Sequence, residues 1–308
     1  MMRLALCIVA LIPLLVVSSK DITSCLPPHR NAHGRKSGKL TKALIRSSHG
    51  TYHMAVRDVK GGRGDTVSKF LLADGAWEMH SPENITQMTG TRGWPLPAGG
   101  TFLDVGGNLG YYSFLFAQYG YTVHALEPMS HNRRAMETTL CLNPHWRDRV
   151  HVHPVAAAAK EQQCVMYAPV GNVGNGYMEC QNLRNYGRDL VVREGEEPRS
   201  CASFASNQNI GWCEDVRARP LDVVIAEAGI EAVDVVKMDI EGFECEAMRG
   251  GQSLFTRLRP KYVFVEAQFP GVRNCTRMQA RRHGYRLLTS DDPGAARLGE
   301  NVLMVRRH

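Results

Sequence analysis

Short apolar blocks along the chain alternate between the spacing of a strand and the spacing of a helix. Residues 101–105 form one such block, residues 111–119 carry apolar side chains at helical spacing, and residues 122–126 form another short block. Gly120 stands directly after the helical block, where a glycine commonly ends a helix. The stretch 101–128 is therefore predicted as strand, turn, helix and strand, which is half of a nucleotide-binding α/β fold.

Later blocks continue this alternation to the end of the chain. Residues 162–219 interrupt it, because they are rich in glycine and polar residues and hold four of the cysteines. A stretch this long between core strands is usually functional or disordered, and we expect it to form the wall of the site on the acceptor side. Elsewhere the pattern predicts helices over 131–144, 221–228, 243–248 and 278–284, and strands over 150–157, 233–242, 261–266, 285–288 and 301–305.

The turn after the first strand distinguishes two classes of nucleotide site. The dinucleotide fingerprint G-x-G-x-x-G, set in register with Gly107 and Gly110, would need a glycine where Val105 stands. The pattern present is an acid, one residue, a glycine, three residues and a glycine, supplied by Asp104, Gly106 and Gly110. It is typical of S-adenosylmethionine-dependent methyltransferases. A nicotinamide-dependent oxidoreductase and a purely structural turn are the alternatives.

Carboxylates suit that methyl donor for a chemical reason. A pyrophosphate needs only backbone N–H groups and a helix N-terminus, whereas S-adenosylmethionine carries an ammonium and a sulfonium. Asp104 offers a negative charge at the end of the first strand. Glu127, at the end of the second strand, can accept hydrogen bonds from both ribose hydroxyls. We therefore predict S-adenosylmethionine as the methyl donor.

Five segments of the chain resemble one known family in their sequence and order. They are FLDVGGNLGYYS, ALEP, PLDVVIAEAG, VDVVKMDIEGFECEAMRGG and RPKYVFVEAQ. Together they resemble the FkbM family of S-adenosylmethionine-dependent methyltransferases, and the likeness runs from about Lys69 to the C-terminus. The KMDIEG element with the Met-Arg-Gly-Gly after it is the most specific part. Gly107 stands where that family more often has alanine, and Cys245 and Cys275 are additional in this chain.

The resemblance implies a Rossmann-like class I methyltransferase fold of the α/β type, with a seven-stranded, mostly parallel sheet and helices on both faces. It implies the strand order 3-2-1-4-5-7-6, with the last strand antiparallel. Ligands of open α/β sheets bind where the strand order reverses, which here lies between strands one and four. The donor-binding residues implied are Asp104, Gly106, Gly107, Asn108, Gly110, Glu127 and Ala156, with Val155 beside Ala156 at the adenine.

The acidic turn after strand four carries the candidate catalytic residues. A hydroxyl is a poor nucleophile near neutral pH, so a positioned base that takes its proton helps methyl transfer. We expect Asp239 or Glu241 to be that base, with Lys237 orienting the other carboxylate. If neither acid serves, Glu266 or a residue of 162–219 takes the role. In the structural alternative, Lys237 and Asp239 form an ion pair and Glu241 caps the following helix.

The N-terminal residues have the features of a secretory signal. Arg3 precedes an apolar stretch over 4–17, which is shorter than the about 20 residues of a membrane span. No acidic residue occurs between positions 22 and 57, although basic residues are frequent there. The chain is therefore divided into a signal peptide or retained signal anchor (1–19), a basic flexible stem (20–68) and a methyltransferase domain (69–308).

Two further features agree with the secretory pathway. Asn84 and Asn274 begin glycosylation sequons, and eight cysteines remain once Cys7 leaves with the signal. Disulfides are expected among them, with free buried thiols as the alternative. His151 and His153 share one face of a strand, but no third ligand lies nearby in sequence, so no metal is predicted.

The acceptor is predicted more coarsely than the donor. Family acceptors include sugar and other secondary hydroxyls, so the resemblance favours O-methylation of a glycan or another acceptor in the secretory pathway. A net charge of +7 favours acidic partners, although nucleic acid is not expected. The segment with Trp77 and Glu78 either folds over the donor pocket or forms a covering helix. A catalytically inactive methyltransferase fold that only binds a partner is the alternative from another class.

Overall fold

The computed structural model describes residues 21–26, 38–59, 65–89, 96, 99–180, 183–185, 190–192, 200–204 and 206–307. The predicted signal peptide or anchor over 1–19 lies outside these residues. Within them, no helix combines the length and the apolar character needed to cross a bilayer.

Strands and helices follow one another in the order that the apolar blocks predict, with additions at the N-terminus and in the middle. The strands are β1 (Leu40–Ser47), β2 (Gly50–Arg57), β3 (Thr101–Val105), β4 (Thr122–Leu126), β5 (Val150–His153), β6 (Ala156–Ala158), β7 (Gln162–Pro169), β8 (Tyr177–Cys180), β9 (Leu183–Asn185), β10 (Leu190–Val192), β11 (Ile210–Pro220), β12 (Val235–Met238), β13 (Tyr262–Glu266), β14 (Tyr285–Leu288) and β15 (Asn301–Arg306). The helices are α1 (Thr66–Ala73), α2 (Asn84–Thr89), α3 (Tyr111–Gln118), α4 (Ser130–Leu142), α5 (Leu221–Glu227), α6 (Glu244–Arg249) and α7 (Pro270–His283).

A seven-stranded sheet forms the centre of the molecule, in the order β5-β4-β3-β12-β13-β15-β14. The pairs among its first five strands are parallel, and β15 runs antiparallel to both β13 and β14. Counted along the chain, this order is 3-2-1-4-5-7-6. The predicted α/β methyltransferase topology is therefore confirmed, together with its antiparallel last strand.

Helices cover both faces of the central sheet, because side chains of successive strand residues point to opposite faces. Phe102 of β3 packs with α3 and α4 in one buried cluster, where its ring stacks on Phe116 at 3.8 Å between centroids. Leu103, the next residue, packs with α5, α6 and α7 in a second cluster. The helix α3 is buried on every side from residue 111 to 117, which its nearly continuous apolar sequence requires.

The prediction of a flexible stem over 20–68 is wrong for much of its length. The antiparallel strands β1 and β2 form a hairpin whose residues Ile45 and Met54 are fully buried in the first cluster. The N–H of Ala55 donates to Oγ1 of Thr139 on α4, 3.0 Å away. Two of the basic residues that favoured a linker lie on β1, where Arg46 is exposed and Lys42 is half-buried, so charge alone did not reveal the buried residues of the hairpin.

Residues 162–219 were also predicted with too little structure. They contribute to a six-stranded sheet in the order β10-β9-β8-β7-β11-β6. The predicted third strand over 150–157 divides at Pro154, whose missing N–H cannot continue a ladder. Its first half is β5 of the central sheet, and Ala156 begins β6, which pairs with β11.

Each of the eight cysteines from Cys25 onward lies in a disulfide, which confirms that pairing was the correct alternative. Two disulfides lie within residues 162–219, one ties the N-terminal segment to α4, and one joins α6 to α7. The pairs are Cys164–Cys180, Cys201–Cys213, Cys25–Cys141 and Cys245–Cys275.

Candidate active site

A cavity of about 280 Å³ opens at the carboxyl ends of β3, β4, β12 and β13. This is the point at which the strand order reverses, as predicted. One wall comes from the segment before the first core strand, through Trp77 and Glu78. The opposite wall comes from residues 162–219, through Met166, Asn172 and Asn175. The predicted acceptor-side wall therefore does line the same cavity as the strand ends.

Glycine at position 106 is required by a close approach of two strand ends. Its φ is +93°, and a Cβ there would lie 2.0 Å from the carbonyl oxygen of Asp239. The N–H groups of Gly106 and Gly107 both donate to the carbonyl of Leu126 at 3.0 Å, which holds the turn against β4. Gly106, Gly107 and Asn108 line the cavity as predicted. Gly110 instead begins α3 with a φ of +88°.

Glu127 lies in the cavity wall with its carboxylate held in place by backbone groups. It accepts hydrogen bonds from the N–H of Asn108 at 2.7 Å and from the N–H of Met129 at 2.8 Å. The side chain is only 4% exposed. Burial raises its pKa to about 7 in spite of these hydrogen bonds, because a carboxylate is costly to desolvate. The structure thus places this predicted donor contact at the cavity surface.

Asp104 does not lie where a direct donor contact was predicted. The residue points to the face of the sheet that α3 covers, where Ser113 Oγ donates to its carboxylate at 2.6 Å. Its neighbour across the sheet is Lys237 of β12. Burial raises the pKa of Asp104 to about 6, although the charge of Lys237 opposes that effect. Asp104 therefore does not line the cavity itself, but its charge acts on Lys237, which does.

An apolar slot lies on the other side of the glycine turn. Val155 and Ala156 line it as predicted, and Met166 and Met178 of the second sheet complete it. The slot results from the break at Pro154. There the chain passes from β5 of the central sheet to β6 of the six-stranded sheet, beside the cavity. A flat, uncharged group fits such a surface better than a charged one.

Lys237 and Asp239 form an ion pair in the cavity wall, which is the structural alternative stated for these two residues. Lys237 Nζ lies 2.8 Å from Asp239 Oδ2 and 4.8 Å from the ring centroid of Tyr112. Burial opposes the charge on Lys237, but the carboxylates of Asp239 and Asp104 raise its pKa. Although burial also opposes ionisation of Asp239, the charge of Lys237 lowers the pKa of that acid.

Glu241 is not a helix cap, so that part of the structural alternative is wrong. The helix α6 begins at Glu244, and it is Glu244 whose carboxylate accepts from the N–H of Ile240 at 2.8 Å. Glu241 lines the cavity with a φ of +54°, a strained backbone for a residue other than glycine. Burial and the charge of Asp239 raise its pKa to about 7.

Glu266, at the end of β13, brings a third carboxylate to this side of the cavity. One oxygen each from Asp239, Glu241 and Glu266 lie within 4.8 Å of one another. Burial, followed by the charges of Asp239 and Glu241, raises the pKa of Glu266 far above its ordinary value. Glu266 therefore keeps its proton near neutral pH. Oxygen ligands of this kind are those that Mg²⁺ or Ca²⁺ prefers, a possibility that the sequence did not suggest.

Tyr112 and Gln268 are further polar residues of the cavity that sequence reasoning missed. The hydroxyl of Tyr112 donates to Glu78 Oε2 at 2.5 Å, and Gln268 Nε2 donates to Glu241 Oε2 at 3.4 Å. Glu78 has a φ of +51°, so its backbone is strained in the same way as that of Glu241. Tyr112 lies in the apolar helix α3, so its position in the sequence did not indicate a polar role in a site. The segment with Trp77 and Glu78 does fold over the cavity, while Trp77 also packs against the core.

A family model described as the methyltransferase FkbM domain matches residues 104–287, which is more than half of the chain. The chain belongs to the FkbM methyltransferase family. The matched region starts at the first acid of the glycine turn and includes both acidic turns, the second sheet and β13. The hairpin β1–β2 and the segment with Trp77 precede the region that defines the FkbM domain.

Three proteins similar to this FkbM-family chain share little of its sequence. The AMB antimetabolite synthetase AmbE of Pseudomonas aeruginosa is 26% identical over 215 residues, which cover 64% of this chain and 10% of the synthetase. A solved FkbM methyltransferase from Methylobacillus flagellatus is 16% identical with a TM-score of 0.43, over 78% of this chain and 52% of that one. A human methyltransferase 10 domain containing protein is 10% identical with a TM-score of 0.36, over 72% and 79%. Because these likenesses are loose, the strand order carries the fold assignment.

Proposed function

We propose that the chain is an S-adenosylmethionine-dependent O-methyltransferase. One observation carries the proposal: a single cavity joins a buried acid suited to a ribose, Glu127, to a buried acid with a pKa of about 7, Glu241. A third group supports donor binding. Asn108 Oδ1 is a buried polar atom in the cavity wall, and the described residues supply it with no hydrogen-bond partner. A polar ligand would satisfy it.

The residues present fit the adenosine part of the donor. Glu127 would accept hydrogen bonds from the ribose hydroxyls while its backbone contacts keep the carboxylate in position. The apolar slot of Val155, Ala156 and the two methionines would hold the adenine. The absence of a side chain at Gly106 would let the ligand approach the turn closely. When bound, S-adenosylmethionine supplies a methyl group on a positively charged sulfur.

Glu241 is the better candidate for the base of the two acids that the sequence left open. A general base works best when its pKa lies near the operating pH, and the pKa of Glu241 is about 7. Asp239 is paired with Lys237 at 2.8 Å, which lowers its pKa and makes it a weaker base. In this assignment Glu241 takes the proton of the acceptor hydroxyl, and the ion pair fixes the wall beside it.

The acceptor that we propose is a hydroxyl of a glycan or of another molecule in the secretory pathway, with nucleic acid excluded. Four disulfides support an oxidising compartment, because they are rare in proteins of the cytosol. In this proposal residues 1–19 act as a signal peptide or as a membrane anchor.

Calorimetry separates the donor proposal from its alternatives. The purified chain is titrated with S-adenosylmethionine and, separately, with NAD. Binding of the first alone is expected; binding of NAD would favour an oxidoreductase, and binding of neither would favour an inactive fold. Labelled donor, offered with a panel of glycans and with the same glycans whose hydroxyls are blocked, then tests the acceptor. Label in the unblocked glycans alone is the expected result.

The compartment is tested by expression in a secreting host. Asn274 lies exposed on α7, whereas Asn84 Oδ1 accepts from the N–H groups of His80 and Ser81. We expect a glycan on Asn274 in preference to Asn84, and a mature N-terminus near Lys20. Glycosidase treatment followed by intact mass measures both. An unglycosylated product that starts at Met1 would contradict the proposal, and Asn274→Gln is the control for the assigned site.

A further inference from the structure

Three histidines meet on one face of the central sheet, at the edge formed by β4 and β5. His124 of β4 lies directly opposite His151 of the parallel strand β5. His153 lies two residues further along β5 and therefore on the same face. The sequence suggested only His151 and His153, since His124 lies in another strand and joins them through strand pairing.

Two of the three rings place a nitrogen each at the spacing of two ligands on one ion. His124 Nδ1 and His153 Nε2 are 3.2 Å apart. Two nitrogens bound to one tetrahedral zinc at about 2.0–2.1 Å lie roughly 3.3 Å from each other. The ring centroids of His124 and His151 are 4.9 Å apart, and those of His124 and His153 are 5.4 Å apart. The first pair of nitrogens thus already has the spacing of two zinc ligands.

The third ring has to turn about its side-chain bonds before its nitrogen can join the other two. His151 is exposed, whereas His124 and His153 are half-buried, so the exposed ring turns without disturbing the core. The described residues that line the methyl-donor cavity include none of the three. The cluster is therefore separate from the proposed active site, although His153 belongs to the strand that leads into it.

We propose that His124, His151 and His153 bind one Zn²⁺ ion, with a water molecule as the fourth ligand. Imidazole nitrogens suit zinc, copper and nickel, whereas carboxylates suit magnesium, calcium and manganese. This difference separates the histidine cluster from the three carboxylates of the cavity. An ion bound here would join β4 to the edge strand β5.

The test uses the untagged full chain after removal of metals with a chelator. Titration with zinc chloride in a calorimeter should show one equivalent bound. His151→Ala and, separately, His124→Asn should each weaken zinc binding by at least about tenfold. His145→Ala, an exposed histidine outside the cluster, is the matched control and should bind as the parent does. Thermal unfolding of each variant verifies that it is folded. Because His151 is exposed, its replacement should leave the fold intact even if His124→Asn does not.

Two results would overturn the proposal. One is a parent chain that binds no zinc in a fixed ratio. The other is a folded His151→Ala variant that binds zinc as tightly as the parent. Glu266→Gln tests whether the carboxylates of the cavity bind the ion instead. If this variant alone loses zinc binding, the ion belongs to the carboxylates and the proposal is wrong. A visible spectrum of the Co²⁺-loaded chain that His151→Ala changes and His145→Ala does not would support the three-histidine site.

Discussion

At the scale of single residues, burial decides which carboxylates of the cavity hold a proton. Glu127 and Glu241 both have a pKa of about 7, yet for different reasons. Glu127 is desolvated in spite of two backbone donors, whereas Glu241 is desolvated beside the charge of Asp239. The first is therefore a fixed acceptor whose geometry is set by the backbone. The second is a group that can change its protonation during a reaction.

Replacement of Glu241 by glutamine tests the proposed base. Glu241→Gln should lower the turnover number by about 10²–10⁴-fold at saturating donor, while the donor affinity is kept, because only proton transfer is lost. Steady-state kinetics and calorimetry measure the two quantities. Asp239→Asn should affect turnover by removing the ion pair with Lys237, and it should shift the pH profile of turnover. Glu137 is an exposed acid on α4, so Glu137→Gln is the control. Turnover of Glu241→Gln within a few-fold of the parent would assign the base elsewhere.

Replacement of Glu127 tests the ribose contact. Glu127→Ala should weaken S-adenosylmethionine binding, because it removes two charge-assisted hydrogen bonds, each worth about 1.5–3 kcal/mol. It should also destabilise the turn, since the N–H groups of Asn108 and Met129 lose their acceptor. Glu127→Gln keeps an acceptor oxygen and removes the charge. If calorimetry shows an unchanged donor affinity in both folded variants, the ribose binds at another residue.

At the scale of elements, the site depends on the contact between the turn after β3 and the turn after β12. Gly106→Ala should destabilise the chain by about 3 kcal/mol or more, because it adds a clash with the Asp239 carbonyl to a backbone cost of roughly 1–2 kcal/mol. Gly284→Ala is the matched control: its φ is +73°, but no atom lies within 4 Å of the added Cβ. Urea unfolding compares the two. Equal losses of unfolding free energy in Gly106→Ala and Gly284→Ala would contradict the predicted clash, because the two turns could then move apart at no energetic cost.

The central elements were predictable from sequence, whereas the added ones were not. The blocks at 101–105 and 122–126 are short, mostly apolar and lie close to glycine or proline, so they indicate buried strands without tertiary information. The hairpin β1–β2 lies in a stretch whose basic residues favoured a linker, although Met54, Ala55 and Val56 are all buried. Strand pairing over long separations brought His124 to His151 and fixed the sheet of residues 162–219. Such pairings leave no local pattern.

In the candidate site, too, the sequence predicted only the residues whose position follows from a local pattern. Strand ends gave Glu127, Lys237, Asp239 and Glu241, because parallel strands bring their carboxyl ends to one edge. The contacts of a side chain were harder to predict: Asp104 does not line the cavity, because Ser113 of α3 holds its carboxylate. Tyr112 was not predicted, because the almost continuously apolar sequence of α3 indicates a core helix and no site residue.

At the scale of the whole molecule, the free energy of unfolding should fall as the pH rises above about 6.5. Burial raises the pKa of Glu127 and Glu241 to about 7 and that of Glu244 to about 8. A group with a raised folded pKa contributes its stability at low pH and loses it as the pH rises through that value. Burial lowers the pKa of His124 and His131, so the unfolded chain binds the extra protons once the pH falls below about 6.5.

The free energy of unfolding of the ligand-free chain should therefore fall between pH 6.5 and pH 8.5, because the three acids lose their protons there while the histidines no longer bind protons in either state. Urea unfolding across that range measures it. Glu244→Gln, which keeps an acceptor for the N–H of Ile240, should flatten the alkaline side by up to about 1.4 kcal/mol per pH unit. A free energy that rises steadily from pH 6 to pH 8.5 would contradict these assignments.

The four disulfides share a property that concerns the order of synthesis. Each joins two cysteines that are consecutive in the sequence from Cys25 onward: Cys25–Cys141, Cys164–Cys180, Cys201–Cys213 and Cys245–Cys275. Eight cysteines allow 105 pairings, and a chain that is oxidised from its N-terminus while it is being made meets this one first. The native connectivity can therefore form while the chain is being made, without later exchange. A fully reduced and denatured chain, in which all eight thiols are present at once, has no such order to guide it.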